Sequence, residues 1–172
     1  MLIIYTDEKI IDIKLDITDE ISTTLYNSSY SISVEGLDIV TNYRTIQIRV
    51  DNRTECCEKW GYVTTNDDIT QFIGATLVNI GFIDSDLRYS AVGASVDIED
   101  LDKNRRNILE NMLNDKLTIY EGQLMFINLN TDRGLLQFVV YNDHNGYYSH
   151  SAHVISVLND SGETEEVYKC KL

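Results

Sequence analysis

Gly134–Val157, GLLQFVVYNDHNGYYSHSAHVISV, is the stretch that decides how this chain reads. Its two halves, Leu135–Asn142 and Tyr147–Val157, are rich in β-branched and aromatic residues. Between them Asn142-Asp143-His144-Asn145-Gly146 is a polar turn sequence, so two sheet strands are predicted. Tyr141, His144, Tyr147, Tyr148, His150 and His153 gather about that junction. Upstream, Gln123–Asn130 pairs with Leu135–Asn142 around Thr131-Asp132-Arg133-Gly134. Downstream, Glu165–Leu172 supplies an edge strand whose acids and lysines discourage edge-to-edge pairing.

The N-terminal half carries the same alternation. Leu2–Tyr5 and Ile10–Ile17 predict two strands, with Ile11, Ile13, Leu15 and Ile17 on one side. Ser31–Val34 predicts another, ended by Gly36. Asp38–Asn42 and Thr45–Val50 form a hairpin in which Ile46, Ile48 and Val50 face one way and Arg49 the other. Ala75–Ile83 is a further strand. Two segments read as helix. A short one at about 67–73 is capped by Asn66 or Asp67 and ended by Gly74. An amphipathic one at about 99–117 carries Leu101, Ile108, Leu109, Met112 and Leu113 on one stripe. The expected fold is α+β: a mostly antiparallel sheet of about eight strands with a helix inserted late, in a single domain 1–172.

Composition narrows the class. Hydrophobic residues make up 43% of the 172, too many for a disordered chain. No apolar run approaches the roughly 20 residues of a membrane helix. MLIIYTDEK is too short and too acidic for a signal peptide, so a soluble, cytoplasmic protein is expected. Three cysteines without an export signal argue against a disulfide framework. There is no proline, so the turns rely on Asn, Asp, Ser and 9 glycines.

The net charge of −14 is uneven. Residues 1–40 hold Asp7, Glu8, Asp12, Asp16, Asp19, Glu20, Glu35 and Asp38 against Lys9 and Lys14. Residues 84–102 hold Asp84, Asp86, Asp97, Glu99, Asp100 and Asp102 against Arg88. Such a field repels nucleic acid and attracts basic surfaces; its plainest role is solubility. No phosphate-cradling GxxxxGK[ST], GxGxxG or HExxH is present. Gly93-Ala94-Ser95-Val96-Asp97 lacks the second glycine of a nucleophile elbow.

A structural zinc is the cofactor these residues suit best. Cys56 and Cys57 of Thr54–Gly61 would join His144 and His150 of the aromatic hairpin, with Asp143, Glu58 or His153 as substitutes. Adjacent cysteines in a regular strand point to opposite faces, so the chain must turn there for both to ligate. The competing account is a pair of cysteines packed as small hydrophobes, with histidines on the sheet surface. Trp60 suits a core, rim or partner-contact position. Cys170 reads as an isolated terminal thiol.

Two motifs, Glu55-Cys56-Cys57-Glu58 and Asn145-Gly146-Tyr147-Tyr148-Ser149, resemble those of a family of small phage and firmicute proteins classed as a domain of unknown function. The resemblance covers roughly 36–83 and 123–157, leaving 1–35 as an N-terminal β extension and 84–122 as a helix-containing insertion. The chain departs from the pattern where Asp51-Asn52-Arg53-Thr54 replaces a histidine before the cysteines, and where His150 replaces an acid after NGYYS. The resemblance implies a phage or prophage context in a bacterial host. Small acidic phage proteins are often inhibitors of host defence, anti-CRISPR proteins among them. The resulting expectation is a non-enzymatic inhibitor that blocks the basic surface of a Cas nuclease without binding nucleic acid or membrane itself. Asp97, Glu99, Asp100 and Asp102 would be its contact residues. The rivals are a nucleotide-signal binder with its pocket near Tyr141–His150, a metal-dependent enzyme using Glu58, and a phage structural protein. Several edge strands would also suit a homodimer.

Overall fold

The computed structural model describes residues 2–25, 28–53, 59–64, 66, 68–87, 121–144 and 150–171. Nine strands appear among them: β1 (Leu2–Leu25), β2 (Ser28–Thr41), β3 (Arg44–Asp51), β4 (Lys59–Thr64), β5 (Thr76–Leu87), β6 (Glu121–Thr131), β7 (Gly134–His144), β8 (Ser151–Leu158) and β9 (Thr164–Lys171). Their order is β4-β7-β6-β5-β1-β2-β3-β8-β9, and every neighbouring pair is antiparallel.

The expected α+β class is therefore wrong; the described residues are all-β. No α-helix occurs among them, and the amphipathic helix expected at about 99–117 lies outside them. The helix expected at about 67–73 is a single 3-10 turn, Ile69–Phe72. Asp68 caps it by accepting from the Thr70 N–H, and Gly74 follows at φ +83. Asn66 instead bridges to β7: its Nδ2 donates to Leu135 O (3.2 Å) and its Oδ1 accepts from Gln137 N–H (3.2 Å).

The two strands expected at the N-terminus are one. β1 pairs with β5 over Leu2–Lys9, then with β2 from Ile10 to Leu25. Register shifts between Tyr5/Glu8, Ile10/Asp12 and Lys14/Ile17 bend it from one half of the sheet into the other. Asp16 takes φ +56 at the last of these, a conformation Asp tolerates better than most residues. The shifts also break the predicted Ile11–Ile17 stripe. Ile10 is buried, whereas Ile11 is 54% exposed.

The halves face one another. One cluster joins Ile46, Ile48, Val50, Ala152 and Val154 to Leu77, Phe82, Met125, Ile127 and Phe138. Phe82 of β5 stacks on Tyr168 of β9 at 4.9 Å, and the Cys170 thiol lies 3.4 Å from the Met125 sulfur. The Ile46-Ile48-Val50 face is in the core as the alternation predicts.

The two ends of this fold differ. At one, short turns are stapled by hydrogen bonds: Asn42 N–H to Lys9 O (3.0 Å), Asn159 Nδ2 to Thr41 O (2.9 Å), Thr76 N–H to Asp132 Oδ1 (2.9 Å). Arg133 Nη1 donates there to Gln71 O and Ile73 O, and Arg44 grips Glu8 at 3.0 Å. At the other end lie Asp51, Lys59, Leu87, Glu121, His144 and Ser151, the residues at which the chain leaves or re-enters the sheet.

Candidate functional site

That second end is where the segments holding the cysteine pair, Asp97–Asp102 and the NGYYS motif attach. Segments 54–58, 88–120 and 145–149 connect β3 to β4, β5 to β6 and β7 to β8. They contain the cysteine pair, the acidic run and the NGYYS motif. Cys56, Cys57, Asp97, Glu99, Asp100 and Asp102 lie outside the described residues, as do Tyr147 and Tyr148.

Of the four expected metal ligands, His150 is the one whose side chain is described, and its place is informative. It is 3% exposed, and its Nδ1 lies 2.6 Å from the carbonyl of Asp51, just before the cysteine segment. Its ring stands 5.5 Å from that of Trp60, just after it. His150 is thus held between the two flanks of 54–58. A carbonyl only accepts, so Nδ1 carries the hydrogen of this bond. This is the arrangement metal-binding histidines commonly show. His144 closes β7 opposite Glu121, beside Asp143, whose partner across the ladder is Lys59. The strand leaving the cysteine segment therefore runs alongside the strand that ends in His144. Among the described residues no group of three or more His, Cys, Asp and Glu forms a metal cluster.

Asp51 is buried, which pushes its carboxyl up. Hydrogen bonds and charge from Arg53, with a smaller contribution from His150, outweigh that and hold it below the ordinary value.

His153, a substitute ligand by sequence, lies on the other face of β8. Ala152 and Val154 point into the core, so His153 points away from it. There it is the cross-strand partner of Arg49. Both are buried, at 2% and 1% exposure. His153 Nδ1 meets Glu166 Oε1 at 2.5 Å, and Arg49 donates to Asp38 Oδ1 (2.7 Å) and Leu37 O (2.9 Å). The sequence signal for this pair is a lone Arg in the apolar run Thr45–Val50; its partners were hidden because they come from other strands.

The comparison with known families gives a clear result. The chain belongs to the family described as a domain of unknown function, DUF7448. Its model matches residues 7–154, a span that includes both motifs. No curated protein and no solved structure matches. No helix among the described residues is long and apolar enough to cross a membrane.

Proposed function

We propose that this member of the family acts by binding rather than by catalysis, presenting acidic surface to a basic partner. The partner class we assign is a host defence nuclease, with a Cas effector the first to test. The observation that carries this reading is how the arginines are used. Each of the four among the described residues is engaged with the protein itself: Arg44 with Glu8, Arg49 with Asp38, Arg53 with Asp51, and Arg133 with backbone carbonyls. Acids meanwhile stand exposed on β1 (Asp7, Asp16, Asp19, Glu20) and around β9 (Asp160, Glu163, Glu165, Glu166). The outward field is accordingly negative, suited to competing with nucleic acid for a basic channel. The test is cleavage of target DNA by a purified guide-loaded effector with and without the protein. Inhibition should weaken with salt and disappear when Asp97, Glu99, Asp100 and Asp102 are changed to lysine with the unfolding midpoint unchanged. Absence of both inhibition and binding across effector types would reject the reading.

A structural zinc held by Cys56, Cys57, His144 and His150 belongs to the same proposal, favoured by the place of His150 between the flanks of the cysteine segment. When bound it would pin three chain segments at that end of the sheet. Native mass spectrometry before and after a chelator decides this. One zinc per chain, lost in Cys56→Ser, is expected; a bare mass at neutral pH would remove the metal.

A further inference from the structure

Between Lys14 and Arg44 the chain has no lysine or arginine, and that span builds most of the β1–β2 ribbon. β3 reaches only as far as Asp51, opposite Val34, with one further bond from Asn52 N–H to Ser33 O (3.1 Å). Beyond it, among the described residues, β1 and β2 pair only with each other, from Ile21↔Ile32 to Leu25↔Ser28. At about 3.4 Å per residue, roughly 17 Å of ribbon projects past β3.

A free hairpin of this kind is marginal in water, but this one is anchored. Ile32 and Val34 on one face are buried. On the other face Thr18, Glu20, Ser22, Ser31 and Ser33 are exposed. The Ser33 carbonyl points toward the β3 side. Successive residues alternate, so the N–H and C=O groups of Ser31 and Ser29 also point off that open edge. Natural edges are commonly guarded by proline, lysine, a bulge or an inward charge. Ser28–Ser33, SSYSIS, has no proline and no charge, and no register shift interrupts its pairing with β1.

We propose that the open edge of β2 over Ser28–Ser33 is a docking surface that takes a basic, extended segment of a partner protein as an added strand. It deepens the binding reading above and rests on it for the sign of the partner's charge. Backbone hydrogen bonds supply the alignment, and Glu20 and Glu35, which share the face of Ser31 and Ser33 by register, attract the segment's lysines and arginines. A second copy of the chain is disfavoured by the net charge of −14.

The experiment titrates the full chain with a capped decapeptide of alternating lysine and valine, followed by amide NMR at low and high salt. Shifts centred on Ser29 and Ser31 are expected. The same peptide N-methylated at alternate residues, which leaves the protein untouched, should bind at least tenfold more weakly. Ser31→Pro, which removes an outward N–H, should do likewise. Equal binding of the methylated peptide, or none of the parent peptide, would overturn the edge. Dimerisation through β2 in sedimentation would overturn it in favour of a second copy. Peptide binding that persists while nuclease inhibition fails would remove the nuclease and leave the edge standing.

Discussion

Gly36→Ala tests the packing of the sheet most directly. Gly36 sits opposite Ile17 on β1 and Arg49 on β3. A Cβ placed there would stand 1.8 Å from Ile48 O, 2.8 Å from Ile48 C and 3.3 Å from Arg49 Cα, all of it backbone. Reaching even a 3.0 Å contact requires β3 to retreat by about 1.2 Å. The carbonyls of Ile48 and Leu37 accept from the buried Arg49 guanidinium at 3.2 and 2.9 Å, so that retreat also loosens charged hydrogen bonds. Overpacking costs about 1–3 kcal/mol, and a hydrogen bond to a buried charge about 1.5–3. Together they predict a loss of about 3–5 kcal/mol, against a typical total of about 5–15. For a domain of this size that is roughly 6–20 °C in Tm. Urea unfolding followed by Trp60 fluorescence measures it, with Gly162→Ala as the comparison. Gly162 lies at φ +69 with nothing within 4 Å of its added Cβ, so only conformational strain of about 1–2 kcal/mol is expected there. If Gly36→Ala is no worse than Gly162→Ala, the contact between β2 and β3 is not as tight as the geometry requires.

Two further substitutions probe the titrating groups. Tyr62 OH donates to Asp16 Oδ1 and accepts from Asp16 N–H, both at 2.7 Å, tying β4 to the bend in β1. Burial first, and the Asp16 carboxylate next, push its pKa up to about 12, above the ordinary 10. Its contribution is therefore complete below pH 10 and lost as pH rises through 12. Tyr62→Phe should cost about 1 kcal/mol at pH 8, and melts from pH 8 to 12 should show the gap closing. A gap independent of pH would refute the coupling. Asp51 is held low, so its contribution is present above the ordinary carboxylate value and fades as pH falls through the depressed one. Arg53→Gln leaves burial unopposed by that cation and should move the acid-unfolding midpoint to higher pH, read by circular dichroism; an unchanged midpoint would refute the assignment.

Strands with regular alternation were legible: Thr45–Val50, Gln123–Asn130 and Leu135–Asn142 sit in the fold with the faces or pairings their residues predict. β4 was not. Gly61 in its middle argues against a strand, and the neighbouring Tyr141 ring, whose hydroxyl would lie 3.0 Å from an added Cβ, fills that space. The polar residues 18–25 and 28–30 offer little strand signal of their own; pairing between β1 and β2 makes them a ribbon. The short helix is a 3-10 turn capped by Asp68, while Asn66, one of the two caps the sequence offered, is bound to β7.

The amino-acid sequence by itself determined the β character, the acidic surface and the stretches worth watching, because alternation and charge are local properties. Tertiary structure decided which of them meet. Only antiparallel pairing puts Asp51 and Trp60 on either side of His150, sets His153 against Arg49 on the opposite face, and leaves the edge of β2 over Ser28–Ser33 without a partner strand among the described residues. Those contacts join residues dozens of positions apart, and their register depends on where β1 bends, which no local pattern encodes.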